Sequence, residues 1–301
     1  MRAVNESVEA ATCDPLAHVA NRHPCFGGGA NINRGRVHLP VSPACNIQCA
    51  FCNRTRSETE QRPGVTSQLL SPEEAADIVE RALALCPEIT VAGIAGPGDT
   101  LATHHAIDTF LLIQERHPEL INCLSTNGLL LEQYAQELIA AGVKTITVTV
   151  NAVDPEILKH ICLWVVKDGK KYEGGEGASI LIEAQKRGIA KISALGALVK
   201  INMVLVPGVN DGHVEEVART VKELGANFIN IIPLIPQYKL SHLREPGCEE
   251  LHRAREKAEA YLPVFRHCQR CRADACGIPG KIDVADKLYV LRQAATTFSH
   301  G

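Results

Sequence analysis

Between about residues 38 and 235 the chain repeats one rhythm, and that rhythm constrains its fold more than any other feature. Short β-branched runs at 38–41, 89–94, 121–124, 145–150, 198–206 and 228–232 alternate with amphipathic stretches, the pattern of repeated strand–helix units around a parallel sheet. The helices carry their own start signals. Ser71-Pro72-Glu73-Glu74 supplies a cap residue, a proline at the first helical position and a capping-box glutamate, with Ala75, Ile78, Val79, Ala82 and Cys86 following on one face. Asp154-Pro155 opens another helix in the same manner, and Val214, Val217, Val221 and Leu224 recur at helical spacing between Asp211 and Gly225. The fold class is α/β.

One strand is polar on one side only. Thr145, Thr147, Thr149 and Asn151 alternate with Ile146, Val148 and Val150, which gives one face to helices and the other to a polar interior. That arrangement fits a partial barrel of six strand–helix units, of the TIM type, whose lumen holds a ligand. Such barrels place their chemistry at the C-terminal strand ends. Here those ends carry Cys45, Gly96-Pro97-Gly98-Asp99, Ser125-Thr126-Asn127-Gly128, Asn151, Pro207-Gly208 and Pro233. The expected organisation is an N-terminal extension (1–37), the barrel (38–235) and a C-terminal extension (236–301). The last contains a helix near 249–261, a cysteine knot at 268–276 and a final helix near 285–295. The lysine- and glycine-bearing stretch 164–177 reads as a mobile loop or an exposed turn.

Charge excludes some partners. Lys and Arg total 31 against 34 for Asp and Glu, a net charge of −3, so there is no basic footprint for nucleic acid or an anionic membrane. No apolar run approaches the roughly 18 residues of a membrane span, and the polar first residues do not resemble an export signal. A cytoplasmic protein is expected. In a reducing compartment, twelve cysteines point to metal or catalysis rather than to disulfides.

Cys45, Cys49 and Cys52 sit on one loop directly after the first strand run. Three thiolates can hold three irons of a [4Fe–4S] cluster and leave the fourth open to a substrate. A zinc knuckle is the alternative, but zinc motifs come mostly as paired C-x2-C units with four ligands.

This spacing resembles that of the radical S-adenosylmethionine (SAM) superfamily. The resemblance implies that the open iron chelates the amino and carboxylate groups of SAM and that electron transfer cleaves SAM to a 5′-deoxyadenosyl radical. It further implies a SAM-amino contact at Gly96, Gly98 and Asp99, where Asp99 departs from the commoner glutamate. Asn127, Thr147, Thr149, Asn151 and Ile201 fall where ribose, carboxylate and adenine contacts belong.

A longer series of segments narrows the resemblance. His23-Pro24-Cys25, His38-Leu39-Pro40-Val41, Pro43-Ala44-Cys45-Asn46-Ile47-Gln48-Cys49, Arg62-Pro63-Gly64-Val65, Gly93-Ile94-Ala95-Gly96, Pro207-Gly208-Val209-Asn210-Asp211 and Cys268-Gln269-Arg270-Cys271 together resemble the NifB family, which builds the nitrogenase iron–molybdenum cofactor. The resemblance implies a cytoplasmic radical SAM enzyme that fuses two [4Fe–4S] clusters into an eight-iron, carbide-centred precursor. One SAM gives the methyl carbon and another the radical, so the chain binds one resident cluster, two substrate clusters and SAM. Cys25, His38 and Cys123 match ligands of the first substrate cluster. Cys268 and Cys271 match ligands of the second, with Cys276 as a third candidate. Glu60 matches an acidic position that serves as an oxygen ligand or proton acceptor. Implied partners are iron–sulfur cluster donors, an external electron donor, and carrier and scaffold proteins for the cofactor.

Two departures qualify the match. Asn31-Ile32 stand where many relatives have a histidine pair, which leaves His38 to supply any nitrogen ligand, and the matched segments end near residue 280, so a short form without the carrier domain of many relatives is expected. Cys13, Cys162 and Cys248 have no matched role. Two other readings are a radical SAM enzyme whose extra clusters only relay electrons or anchor an organic substrate, and a non-catalytic iron–sulfur carrier or zinc-stabilised scaffold. The first predicts fully coordinated extra clusters, and the second predicts no SAM cleavage.

Overall fold

The computed structural model describes residues 19, 21–26, 33–54, 56–57, 60–269 and 271–289. In chain order the strands are β1 (Gly35–His38), β2 (Ile47–Cys49), β3 (Ile89–Ile94), β4 (Ile121–Thr126), β5 (Val143–Thr149), β6 (Cys162–Lys167), β7 (Lys170–Glu173), β8 (Leu198–Leu205), β9 (Phe228–Pro233) and β10 (Cys276–Gly277). The helices are α1 (Pro72–Leu85), α2 (His105–Arg116), α3 (Leu131–Ala140), α4 (Pro155–Leu158), α5 (Gly174–Ala194), α6 (Val214–Glu223), α7 (Cys248–Glu259) and α8 (Ala285–Leu288).

Strands β1, β3, β4, β5, β8 and β9 pair in parallel in that order, and β10 closes the β1 edge antiparallel. This is the expected curled half-barrel. Ile146, Val148 and Val199 join the helix-facing core with Val79, Phe110, Leu138 and Val217. The capping box forms as read: Ser71 Oγ accepts from the Glu74 N–H, and the Glu74 carboxylate accepts from the Ser71 N–H. Among the described residues no helix is long and apolar enough to cross a membrane.

Register sets what meets across the lumen. His38 lies opposite Gly93, Gly93 opposite Cys123, and Cys123 opposite Thr145. Ser125, Thr147 and Lys200 form the next row on the same face, and Thr149, Asn202 and Asn230 the row above that.

Two expectations change. The first strand is Gly35–His38 rather than 38–41, because the ladder stops where Pro40 offers no N–H. Leu39 still donates to the Gly93 carbonyl at 2.8 Å, and the chain touches the sheet again at a single Ser42–Pro97 bridge. The stretch 164–177 is ordered structure rather than a loop: β6 and β7 form a hairpin that extends β2 into a three-stranded antiparallel sheet, and α5 starts at Gly174. This second sheet has its own core, with Ile47, Leu158, Ile161, Val165 and Leu181. The final helix is described only as Ala285–Leu288. Cys13, Asn31 and Ile32 lie outside the described residues.

Candidate active site

The lumen opens as one cavity whose wall includes Cys45, Cys49 and Cys52. Their loop is laced to the neighbouring strand ends. The Gly98 N–H donates to the Ser42 carbonyl at 2.9 Å and the Asp99 N–H to the Ala44 carbonyl at 2.9 Å. A Cβ on Gly98 would stand 1.9 Å from the Ala44 oxygen, so only glycine permits this approach. Asn127 Nδ2 donates to Asn46 Oδ1 at 2.6 Å, and Gln48 Nε2 donates to the carbonyls of Cys49 and Cys52 at 3.0 and 2.7 Å. Burial, helped by Asp99, pushes the Cys45 thiol up to about 12. Burial, with Cys162 and Cys52 alongside, pushes Cys49 well above the usual thiol range. Thiols so placed become thiolates only with a cation to offset them, which suits iron ligation.

Deeper in the lumen the wall carries Cys25, His38 and Cys123, and at its C-terminal margin Cys268 and Cys271. His38 Nδ1 stands 2.9 Å from the Arg272 carbonyl, an acceptor only, so Nδ1 carries the proton and the Nε2 lone pair is free. Burial, with Arg36 nearby, lowers His38 to about 4, which keeps the ring neutral at pH 7. The ring edge lies over Gly93, where a Cβ would come within 2.9 Å of His38 Cδ2. Burial pushes Cys123 up to about 11 and raises Cys25 as well. Arg36 Nη2 donates to Cys271 Sγ at 3.1 Å. Among the described residues, no three or more His, Cys, Asp or Glu side chains are drawn tightly enough together to hold a single metal ion.

Several expected site residues have different surroundings. Cys276 is fully buried in β10 opposite Val37, in the hydrophobic core and outside the cavity wall, so it does not join Cys268 and Cys271. Ile201 likewise faces the helices, because the alternation of β8 gives the lumen to Lys200, Asn202 and Val204. Glu60 is not on the wall; its carboxylate pairs at 2.6 Å with Arg62, which is. Gly96 also sits behind the wall, at φ 122° against Gly64, whereas Pro97, Gly98 and Asp99 line it. The buried Asp99 carboxylate accepts from the Asn127 N–H, from Thr126 Oγ1 and from the Leu101 N–H, so it ties two strand ends together. Burial outweighs these bonds and raises its pKa. Thr147, Thr149 and Asn151 line the lumen as read, with Asn151 Oδ1 accepting from the Val204 N–H at 2.9 Å.

The sequence reading missed Arg36, Lys200, Asn202 and Cys162, all on the cavity wall. Period-two alternation along β8, applied as it was to β5, would have found Lys200 and Asn202.

Comparison with known proteins agrees with this geometry. The radical SAM superfamily pattern matches residues 39–221. The "FeMo cofactor biosynthesis protein NifB" of Methanocaldococcus jannaschii is 50% identical over 276 residues, covering 91% of this chain and 92% of that protein. The chain belongs to the NifB family. The NifB protein of Klebsiella pneumoniae is 41% identical over 288 residues, 93% of this chain but 62% of its own length. The fold is that of radical SAM enzymes: a methyltransferase from Sphaerobacter thermophilus superposes with a TM-score of 0.54 at 21% identity, over 77% of this chain and 65% of its own. SuiB from Streptococcus suis, bound to S-adenosylmethionine, gives 0.56 at 14%, over 76% and 49%. Membership in a radical SAM family brings a [4Fe–4S] cluster and SAM, and the three half-buried cysteines of one loop, facing a polar lumen, are a fitting donor set for that cluster.

Proposed function

We propose that this protein is a radical SAM carbide-forming enzyme of nitrogenase cofactor biosynthesis. It joins two [4Fe–4S] substrate clusters into an eight-iron, carbide-centred precursor, taking the carbon from the methyl group of one SAM. The observation that carries the reading is one cavity wall bearing both the three-cysteine loop and five further donors: Cys25, His38, Cys123, Cys268 and Cys271. An organic substrate has no use for so many soft ligands, whereas iron–sulfur substrates require them.

The resident cluster, with SAM at its open iron, supplies one-electron cleavage of SAM to a 5′-deoxyadenosyl radical. The protein's own residues do the rest of the placing. Cys45, Cys49 and Cys52 hold the resident cluster. Gly98 brings the second strand end against that loop, and Thr147, Thr149 and Asn151 offer polar contacts to SAM. Cys25, His38 and Cys123 hold the first substrate cluster, with His38 binding through Nε2; a neutral imidazole is a weaker iron ligand than thiolate and is the donor most easily released as the cluster is rebuilt. Cys268 and Cys271 hold the second. Cluster donors, an electron donor, and carrier or scaffold proteins that take the product complete the partner set.

The test is anaerobic reconstitution with iron and sulfide, followed by iron counting and, after SAM and dithionite, chromatography for S-adenosylhomocysteine and 5′-deoxyadenosine. About twelve irons per chain, three four-iron clusters, together with both products are expected. About four irons with deoxyadenosine alone would overturn the proposal.

A further inference from the structure

Lys200 is a cation in the wrong surroundings for a protein acting alone. Its side chain projects from β8 into the lumen and is only 6% exposed. Nζ donates to the Cys25 carbonyl at 3.2 Å and stands 4.7 and 5.1 Å from the ring centroids of Phe26 and Phe265. Among the described residues no carboxylate forms an ion pair with it. Two aromatic faces and one carbonyl compensate only part of the loss of hydration, and a buried charge left without an opposite charge is strongly disfavoured. The wall around it therefore suits an anionic guest.

Its position says which guest. Lys200 lies one row above Cys123 and His38 on the same face of the sheet, and its ammonium is held against the residue that supplies the Cys25 thiol. The next row up, Asn202 with Thr149, is closer to the strand ends where the three-cysteine loop sits. A four-iron cluster bound by two thiolates and a neutral imidazole presents sulfides and thiolate sulfurs that accept hydrogen bonds, and it becomes net anionic when its core is reduced by one electron. We propose that Lys200 is a substrate-binding residue, the cationic partner of the sulfides and thiolates of the iron–sulfur cluster held by Cys25, His38 and Cys123, and of the negative charge that cluster takes on when reduced. The assignment rests on the functional reading above and adds the charge recognition that reading lacks.

Lys200→Met and Lys200→Arg test it, with thermal melting to check the folding of each variant and Lys200→Gln in reserve should Met not fold. After reconstitution, iron should fall from about twelve per chain to about eight in Lys200→Met and return to about twelve in Lys200→Arg. Any cluster the Met variant retains at this site should have a lower reduction potential, because a nearby cation favours the more negative reduced state. Full iron and an unchanged potential in Lys200→Met would overturn the assignment. So would full iron with a tenfold rise in KM for SAM, which would make the SAM carboxylate the partner. Equal iron loss in Met and Arg variants would mean packing, not charge. Wild-type protein with only about four irons would sink the functional reading first and this assignment with it.

Discussion

Asp274 lines no part of the cavity, yet it holds the carbonyl that orients His38. Its carboxylate accepts from Thr66 Oγ1, the Ser67 N–H and the Arg272 guanidinium at 2.7–2.9 Å, and the Arg272 carbonyl accepts the His38 Nδ1 proton. Burial works to raise its pKa, but the bonds from Arg272 and Ser67 outweigh it and hold the carboxyl below the usual range. Asp274→Asn leaves the Arg272 guanidinium, 12% exposed, without its charge partner and should cost about 3 kcal/mol, measured by urea unfolding of the cluster-free protein at pH 7. The sign with pH follows. A carboxylate depressed in the folded state stabilises above its unfolded pKa, about 4, and the contribution fades as pH falls through the lower folded value. The gap between wild type and variant should therefore narrow below about pH 4. A gap that stays constant there would mean a packing defect. Gly98 gives the second residue prediction: in Gly98→Ala the new Cβ meets backbone, Ala44 oxygen at 1.9 Å and Ala44 carbon at 2.5 Å, which no rotamer relieves. The cluster loop must move, at a cost of at least about 3 kcal/mol, and the variant should bind little of the resident cluster's iron. Normal iron content would refute the role given to Gly98.

At the scale of elements, what was readable follows the range of the interaction that makes each element. Strands β3, β4, β5, β8 and β9 and helices α1 and α6 declare themselves in local periodicity and caps, and all lie where the pattern puts them. The β2–β6–β7 sheet does not, because β2 has three residues and β7 carries no buried side chain. One local signal was there: Asp168-Gly169, both at positive φ (52° and 72°), the dipeptide favoured in two-residue hairpins. The small strand β10 is legible only through its distant partner β1, and for that reason Cys276 looked like a third ligand beside Cys268 and Cys271 when its strand had turned it into the core. The hairpin matters to the site because β6 pairs with β2, setting Cys49 opposite Cys162. Gly169→Ala places a Cβ in open space but in the left-handed region, a cost of about 1 kcal/mol. We expect that loss in urea unfolding together with faster release of the resident cluster to a chelator. Unchanged release would mean the cluster loop does not depend on the hairpin.

For the whole molecule, the folding of the sheet and the loading of the cavity are coupled. The sheet is stabilised outside by an apolar layer against helices, while inside it surrounds half-buried thiols together with the buried Arg36 and Lys200, neither of which forms an ion pair with a carboxylate among the described residues. Asp99, the carboxylate on that wall, already has its oxygens occupied by the strand ends it joins. On the proposed reading, iron–sulfur guests offset the burial of these cations and convert high-pKa thiols into ligated thiolates, so loading stabilises the fold. Binding confined to the folded state adds stability by mass action, about 4 kcal/mol when the ligand stands at a thousand times its dissociation constant. In a chain of this size that corresponds to a melting temperature raised by at least about 5 °C. Anaerobic melting of reconstituted protein before and after iron removal with a chelator measures the difference. Replacing Cys268 and Cys271 together by serine should remove part of the gain, and replacing Cys25 and Cys123 another part, if each pair holds a separate guest as proposed. If stripping the iron leaves the melting temperature unchanged, loading of the lumen and folding of the sheet are not coupled, and the buried cations on its wall are accommodated by the protein alone.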